Sequence, residues 1–225
     1  MTNLKLSKRL DKIASFVNNG SIIADIGCDH ALLDIYLTIN NICPKAYAFD
    51  IVDGALKQAS LNKDKYNAKN VIIKKSDGLC ELKKDYNVDT IILSGLGNVK
   101  IESILNDNIE KLSNIKNIII QSNTNVYNIR KYLVKIGYYI EDEALIKDGK
   151  IIYTIISFKK GYKKYNNKEL MFGPVILNNK DDLFKEEILS IINKNNYIIN
   201  KLPKKSFVKI LKLKIENKKL KKEIK

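Results

Sequence analysis

The sequence predicts a doubly wound α/β fold built on a seven-stranded sheet, followed by a basic helical hairpin. Three observations carry that expectation. From residue 21 to about 158, short β-branched runs alternate with segments of helical period. The last two runs are joined by Asp148-Gly149, a dipeptide that favours a tight hairpin. After Gly161 the composition turns polar and lysine-rich.

The strands read in order are Ile22 to Ile26, Lys45 to Phe49, Val71 to Lys74, Thr90 to Leu93 and Asn117 to Gln121, with a closing pair around Tyr138 to Ala144 and Ile151 to Phe158. Near-continuous apolar runs of this kind suit parallel strands covered on both faces. Helices are expected at Ser7 to Val17, Ala31 to Asn40, Asp53 to Tyr66, Lys100 to Asn108 and Asn125 to Ile136. Five parallel strands ending in an antiparallel hairpin are the layout of the class I (Rossmann-like) methyltransferase fold. The expected division is a domain over residues 1–160 and an extension over 161–225. In the extension, Phe184, Ile188, Ile191, Ile198 and Leu202 fall on one stripe with Asn195, and Ile210, Leu213, Leu220 and Ile224 on another with Asn217. Pro203 separates the two stripes, which predicts two antiparallel helices packed coiled-coil fashion.

Charge follows the same division. The chain carries +15, of which residues 1–158 contribute only +3 and residues 159–225 contribute +12. So dense a cationic segment favours a polyanionic partner, with nucleic acid first. Because the chain is also crowded with Lys, Asn and Ile, solvation and compositional drift remain the alternative. No apolar run reaches the length of a membrane span, and MTNLKLSKRLDK lacks the apolar stretch of a secretory signal, so a cytoplasmic protein is expected. Cys28, Cys43 and Cys80 lack CxxC spacing and His30 is the single histidine; neither a disulfide framework nor a metal site is expected, and the thiols should lie in or near the core. Nothing in the chain calls for an obligate protein partner.

The candidate site is read from the turns at the strand ends. A dinucleotide site would need G-x-G-x-x-G after the first strand, where backbone must approach a pyrophosphate, but IIADIGCDHA offers only Gly27. A glycine-poor turn suits S-adenosylmethionine, which has no phosphate. Gly27 lets the chain bend beside the ligand, and Asp25 and Asp29 place negative charge near its ammonium and sulfonium groups. Asp50 ends the second strand, where a carboxylate accepts hydrogen bonds from ribose hydroxyls, and Ile51 offers apolar surface to the adenine ring. Asp77 and Gly78 come after the third strand, as acceptor for an exocyclic amine and as a point of close packing. Gly95, in the SGLG turn after the fourth strand, forms a floor where the reacting groups meet. Singly, each has a structural alternative: Asp25 as a helix cap, Asp50 as a turn residue, Asp77-Gly78 and the SGLG glycines as plain turns. Three acids after three successive strands favour a ligand, because open α/β sheets bind ligands beyond their strands' carboxyl ends.

LSKRLDKIASFV, ADIGCDHALL, the Asp77-Gly78 pair, SGLGN, IIIQSN, EDEALIKDGKIIY and ELMFGP, in that order, resemble the bacterial tRNA adenine-22 N(1)-methyltransferase family, TrmK. The resemblance spans nearly the whole chain. It implies a methyltransferase domain with a coiled-coil-like extension, S-adenosylmethionine as methyl donor, tRNA as partner and 1-methyladenosine as product. The chain departs from the family pattern at Cys28 (serine expected), near Asp34 (proline expected), in SGLGN and at Ser122. Adenine N1 is a neutral nucleophile with an in-plane lone pair, so the reaction needs alignment and stabilisation of a cationic product more than a strong base. Asp29 and His30 are the candidates for that chemistry, and Asn123 for orienting the base. His30 has a structural reading of equal weight. Arg9 and Arg130, the only arginines among 40 basic residues, are candidates for gripping RNA or closing the pocket, with packing or an ion pair as the alternative. The rival functions are a class I methyltransferase for another RNA or a small molecule, and a non-catalytic RNA-binding module.

Overall fold

The structure is a computed structural model that describes residues 4–224. Helix α1 (Lys8–Ala14), capped by the Ser7 hydroxyl accepting from the Leu10 N–H, precedes the sheet. Strands β1 (Ile22–Ile26), β2 (Lys45–Asp50), β3 (Val71–Lys75), β4 (Thr90–Leu96) and β5 (Asn117–Ser122) pair in parallel. Between them run α2 (Leu32–Ile39), α3 (Asp53–Lys65) and α4 (Asn98–Asn106). After α5 (Val126–Lys135) come β6 (Tyr138–Asp148) and β7 (Ile151–Lys160). The sheet order is β3-β2-β1-β4-β5-β7-β6, so the last strand inserts between β5 and β6, antiparallel to both. Gly149, at φ 63°, makes the turn between β6 and β7, as the Asp-Gly pair predicts.

Each strand begins at the residue expected from the sequence; β1 also ends as expected, and the other strands run on past their expected ends. Inner strands show no polar alternation because both faces are covered: Ile91 and Leu93 join one core layer and Ile92 the other. The reversal of strand order on either side of β1 and β4 opens a crevice beyond their carboxyl ends, where a ligand of such a sheet binds.

The chain divides into two compact units, one ending at Val175 and one starting at Ile176. The expected boundary after residue 160 therefore moves. Residues 161–175 belong to the first unit: the Tyr165 hydroxyl bonds the backbone of Ile140 on β6, and α6 (Asn167–Phe172) delivers the Leu170 and Met171 carbonyls to Arg130. Helix α7 (Pro174–Asn179) leads to the second unit, in which α8 (Asp182–Lys201) and α9 (Phe207–Glu223) pack together. Their seam buries Phe184, Ile188 and Leu220, as the stripes predict, but Ile192 takes the buried place expected for Ile191. Asn195 and Asn217 are buried in the seam, and the Asn195 Nδ2 donates to Asn217 Oδ1 at 3.0 Å while Asn217 Nδ2 donates to Asn196 Oδ1 at 2.9 Å. A paired polar layer of this kind fixes the register of two helices at some expense in stability.

Cys28 and Cys43 are buried, but Cys80 is exposed and not in the core. Among the described residues no helix is long and apolar enough to cross a membrane, and no group of three His, Cys, Asp or Glu is placed to hold a metal ion.

Candidate active site

A cleft of about 460 Å³ opens beyond the carboxyl ends of the first four strands, within the size range of small-molecule sites. Its lining includes Arg9, Asp25, Gly27, Asp29, His30, Asp50, Ile51, Asp77, Gly78 and Gly95, all singled out from the sequence. The fold thus brings residues from α1 and four successive strand ends into one place.

The turn after β1 is shaped by its backbone. Gly27 has φ 76°, a conformation that favours glycine, and Asp29 and Ala31 have φ 51° and 53° without being glycine. Two non-glycine residues held in the left-handed region on either side of His30 mark a strained loop whose neighbours over-determine it. Those neighbours are visible. The Asp29 N–H donates to Asp50 Oδ2 at 3.0 Å, and the Asn62 side chain donates to the His30 carbonyl at 3.0 Å. Asp50 Oδ1 accepts from the Val52 N–H at 2.9 Å, so this carboxylate ties two loops together and retains lone pairs for a ligand hydroxyl. The Asp29 and His30 side chains remain exposed, with His30 Nε2 3.4 Å from Asp29 Oδ1.

Asp25 lies deeper, nearly buried at the end of β1, and it is not the cap of α2, a position held by Ala31. Burial, and after it the charge of Asp50, push its carboxyl up to about 7, against the lowering effect of a hydrogen bond from Asp34 and the charge of Arg9. Burial likewise pushes the Cys28 thiol far up, which leaves it a neutral packing group. Asp77 is exposed and paired with Lys100 at 3.0 Å. Gly78 is required by helix packing: at φ 58°, an added Cβ would lie 3.0 Å from two carbons of Ile104 on α4.

The floor of the cleft is held by a network centred on Gln121, which is wholly buried on β5. Its Oε1 accepts from Arg9 Nη1 at 2.8 Å and from the Gly95 N–H at 3.0 Å, and its Nε2 donates to Asn123 Oδ1 at 2.9 Å. Arg9 Nη1 also donates to Ser94 Oγ at 2.7 Å, and its guanidinium lies 5.6 Å from the centre of the Tyr153 ring. Asn123 is exposed and donates to the Gly95 carbonyl at 2.6 Å, so it stands next to the floor without lining the cleft. Ser94, Gln121 and Lys100 were missed in the sequence; a polar Gln closing the apolar run of β5 was the available signal.

Arg130 is a correction. It is 2% exposed, and its Nε donates to Glu143 Oε1 at 2.6 Å while its Nη1 donates to the carbonyls of Leu170 and Met171. A guanidinium this deeply buried, bonded to a carboxylate and two carbonyls, has no face open to RNA.

Comparison with known proteins accords with this geometry. The family model for tRNA (adenine(22)-N(1))-methyltransferase, TrmK, matches residues 23–225. The Bacillus subtilis tRNA (adenine(22)-N(1))-methyltransferase is 32% identical over 191 residues, covering 82% of this chain and 80% of that protein. A structure of Mycoplasma capricolum TrmK with S-adenosyl-homocysteine superposes with a TM-score of 0.87 at 34% identity, covering 97% of both chains. A Streptococcus agalactiae protein of the NADB-Rossmann superfamily reaches a TM-score of 0.94 at 31% identity over 100% of this chain and 99% of its own. With its strand order, its cleft and a family match over most of its length, the chain belongs to the tRNA (adenine(22)-N(1))-methyltransferase family, TrmK.

Proposed function

We propose that this chain transfers the methyl group of S-adenosylmethionine to N1 of adenosine 22 in tRNA. The observation that carries the reading is the convergence of Asp25, Asp29, Asp50 and Asp77 on one cleft in a chain of this family. Bound in that cleft, S-adenosylmethionine would supply an electrophilic methyl carbon. The donor set suits it: Asp50 for ribose hydroxyls, Ile51 for the adenine face, Asp25 for a cationic group, and no glycine-rich phosphate cradle. The N1 lone pair attacks the methyl carbon as the carbon–sulfur bond breaks, and the positive charge passes from sulfur to the methylated ring. No proton must be removed to reach that product. The role left to the protein is to align the ring and stabilise its charge. Asp29, exposed at the cleft with His30 beside it, is the carboxylate we assign to that charge, and Asn123 the group that orients the base.

The second unit supports RNA binding. A groove between α8 and α9 is lined by Lys214, Lys218, Lys221 and Lys222 with Asn196 and Asn217, a basic surface suited to a phosphate backbone. Changing these four lysines to glutamine is expected to lower the salt dependence of tRNA binding by roughly 2–4 in log–log slope. An unchanged slope returns the lysines to solvation.

The function is tested by incubating the protein with unmodified tRNA and labelled S-adenosylmethionine, then extending a primer across the D-arm. Methylation on the pairing edge stops reverse transcriptase at adenosine 22. Label transfer with the stop elsewhere assigns another target, and cofactor binding without transfer favours a non-catalytic module.

A further inference from the structure

Behind the cleft, α2 carries a carboxyl group that the methyl transfer does not use. Asp34 sits in the first turn of α2, fully buried, and neither of its oxygens has a fixed hydrogen-bond donor among the described residues. Its neighbours in sequence, Leu33 and Ile35, belong to the core. An ionised carboxylate in that position would be stripped of water, with only its own backbone N–H near it.

The group within hydrogen-bonding reach is the carboxyl of Asp25, 5% exposed, which unlike Asp34 also lines the cleft. Two carboxyls hydrogen-bond to each other only when one carries the proton between them. Asp34 is the more deeply buried of the two, and burial, with the charge of Asp25 behind it, pushes its carboxyl well above the usual range. The other groups acting on Asp25 are Asp50 at the end of β2, which raises it, and Arg9 on α1, which lowers it. Cys28, in the turn between β1 and α2, stays neutral.

We propose that Asp34 is a positioning residue: as a neutral acid it donates its proton to one oxygen of Asp25, leaving the other oxygen charged and directed at a cationic group of S-adenosylmethionine. The role rests on the proposed methyltransferase function. Its consequence is a titratable cofactor site. Above about pH 7, the pair holds one proton and one negative charge. As pH falls through about 7, Asp25 takes up a second proton, the pair becomes neutral and the attraction to a cationic ligand is lost.

The test is calorimetric titration of the full chain with S-adenosylmethionine between about pH 6 and 9. The wild-type dissociation constant is expected to rise as pH falls below about 7, and Asp25→Asn to flatten that dependence. Asp34→Asn, whose amide still donates, should keep the wild-type profile. Asp34→Leu has no donor, and should weaken binding near neutrality about tenfold and move the inflection up by about one pH unit. Asp34→Leu matching the wild type overturns the proposal, as does Asp34→Asn behaving like Asp34→Leu, or a pH dependence that survives Asp25→Asn. A readout that needs no cofactor runs alongside: the infrared carbonyl band of a protonated carboxylic acid should persist at about pH 9, where Asp25 is ionised, and be lost there in Asp34→Asn. Absence of that band in the wild type overturns the pair itself. A wild-type chain that shows the band but binds no S-adenosylmethionine sinks the methyltransferase function and the positioning role while the shared proton stands.

Discussion

Arg9 and Arg130 are the same residue type in two regions of one domain, and they do opposite work. Arg9 is half-buried at the cleft floor, where its guanidinium donates to neutral groups, the Ser94 hydroxyl and the Gln121 amide oxygen, and the residue lines the cleft. Arg130 is sealed under α6, where its charge is matched by Glu143 and its remaining contacts go to helix-end carbonyls. Around it the chain has been shaped to fit. Glu143 Oε2 accepts from the Val175 N–H, and a Cβ on Gly173, at φ 90°, would sit 2.2 Å from that same oxygen. An arginine matched by a buried acid is a clasp, whereas an arginine with neutral partners beside open space keeps its charge for a ligand.

If that contrast is right, the largest effects of mutation should fall on stability at Arg130 and on activity at Arg9. Arg130→Ala removes the cation that matches the buried Glu143, and is expected to cost about 3–5 kcal/mol. For a chain of this size that is a fall in melting temperature of roughly 6–20 °C, read by thermal denaturation. Arg130→Met combined with Glu143→Leu should recover most of it, since exchanging a buried pair for apolar groups removes both charges together. A double variant as unstable as Arg130→Ala would break the contrast from the stability side. Next in size, Arg9→Ala is expected to lower kcat/KM on tRNA about a hundredfold and Arg9→Lys about tenfold, with melting temperatures within a few degrees of wild type. A single ammonium cannot hold both acceptors and stack near Tyr153 at once. Equal losses of stability at the two arginines would show that Arg9 is a clasp as well.

The sequence treats these two positions alike, and the reason is physical. What distinguishes them is the partner brought from far along the chain, and hairpin register decides that: β6 places Glu143 opposite Ile156 on β7, after a shift in register between Ile140 and Asp142 that no periodicity announces. Much of the fold was legible because it depends on local pattern. Short β-branched or aromatic runs mark the seven strands, and the acids at or just after the ends of β1, β2 and β3 line the cleft because strand ends in a parallel sheet converge by construction. Short helices under tertiary control were not legible. Helix α6 starts in a stretch that reads only as polar and lysine-rich, though its signal was present: Asn166 and Glu169 form a capping box, with Asn166 Oδ1 accepting from the Glu169 N–H and Glu169 Oε2 accepting from the Asn166 N–H. Pro174 after Gly173 marks the start of the next helix in the same way. Asp34 was hidden for a different reason. An acid in the first turn of a helix reads as a solvated residue favoured by the helix dipole, and only the packing of α2 on the sheet shows that it is buried.

The finest test of the contrast lies within the Arg9 region, between its two acceptors. Gln121 Oε1 serves Arg9, Gly95 and, at 3.3 Å, the Ser94 hydroxyl, whereas Ser94 Oγ gives Arg9 one contact. Gln121→Leu should therefore release the Gly95 turn along with Arg9 and lower kcat/KM nearly as far as Arg9→Ala. The two changes combined should do little more than either alone, because both dismantle one network. Ser94→Ala leaves the Gln121 contact and the Gly95 anchor in place. It removes the hydrogen bond accepted from Arg9 and the longer one donated to Gln121, together about 1 kcal/mol, and the expected loss is roughly fivefold in kcat/KM with cofactor affinity unchanged. A loss at Ser94 as deep as that at Gln121 would mean that the serine hydroxyl, and not the guanidinium it accepts from, is the group the substrate meets.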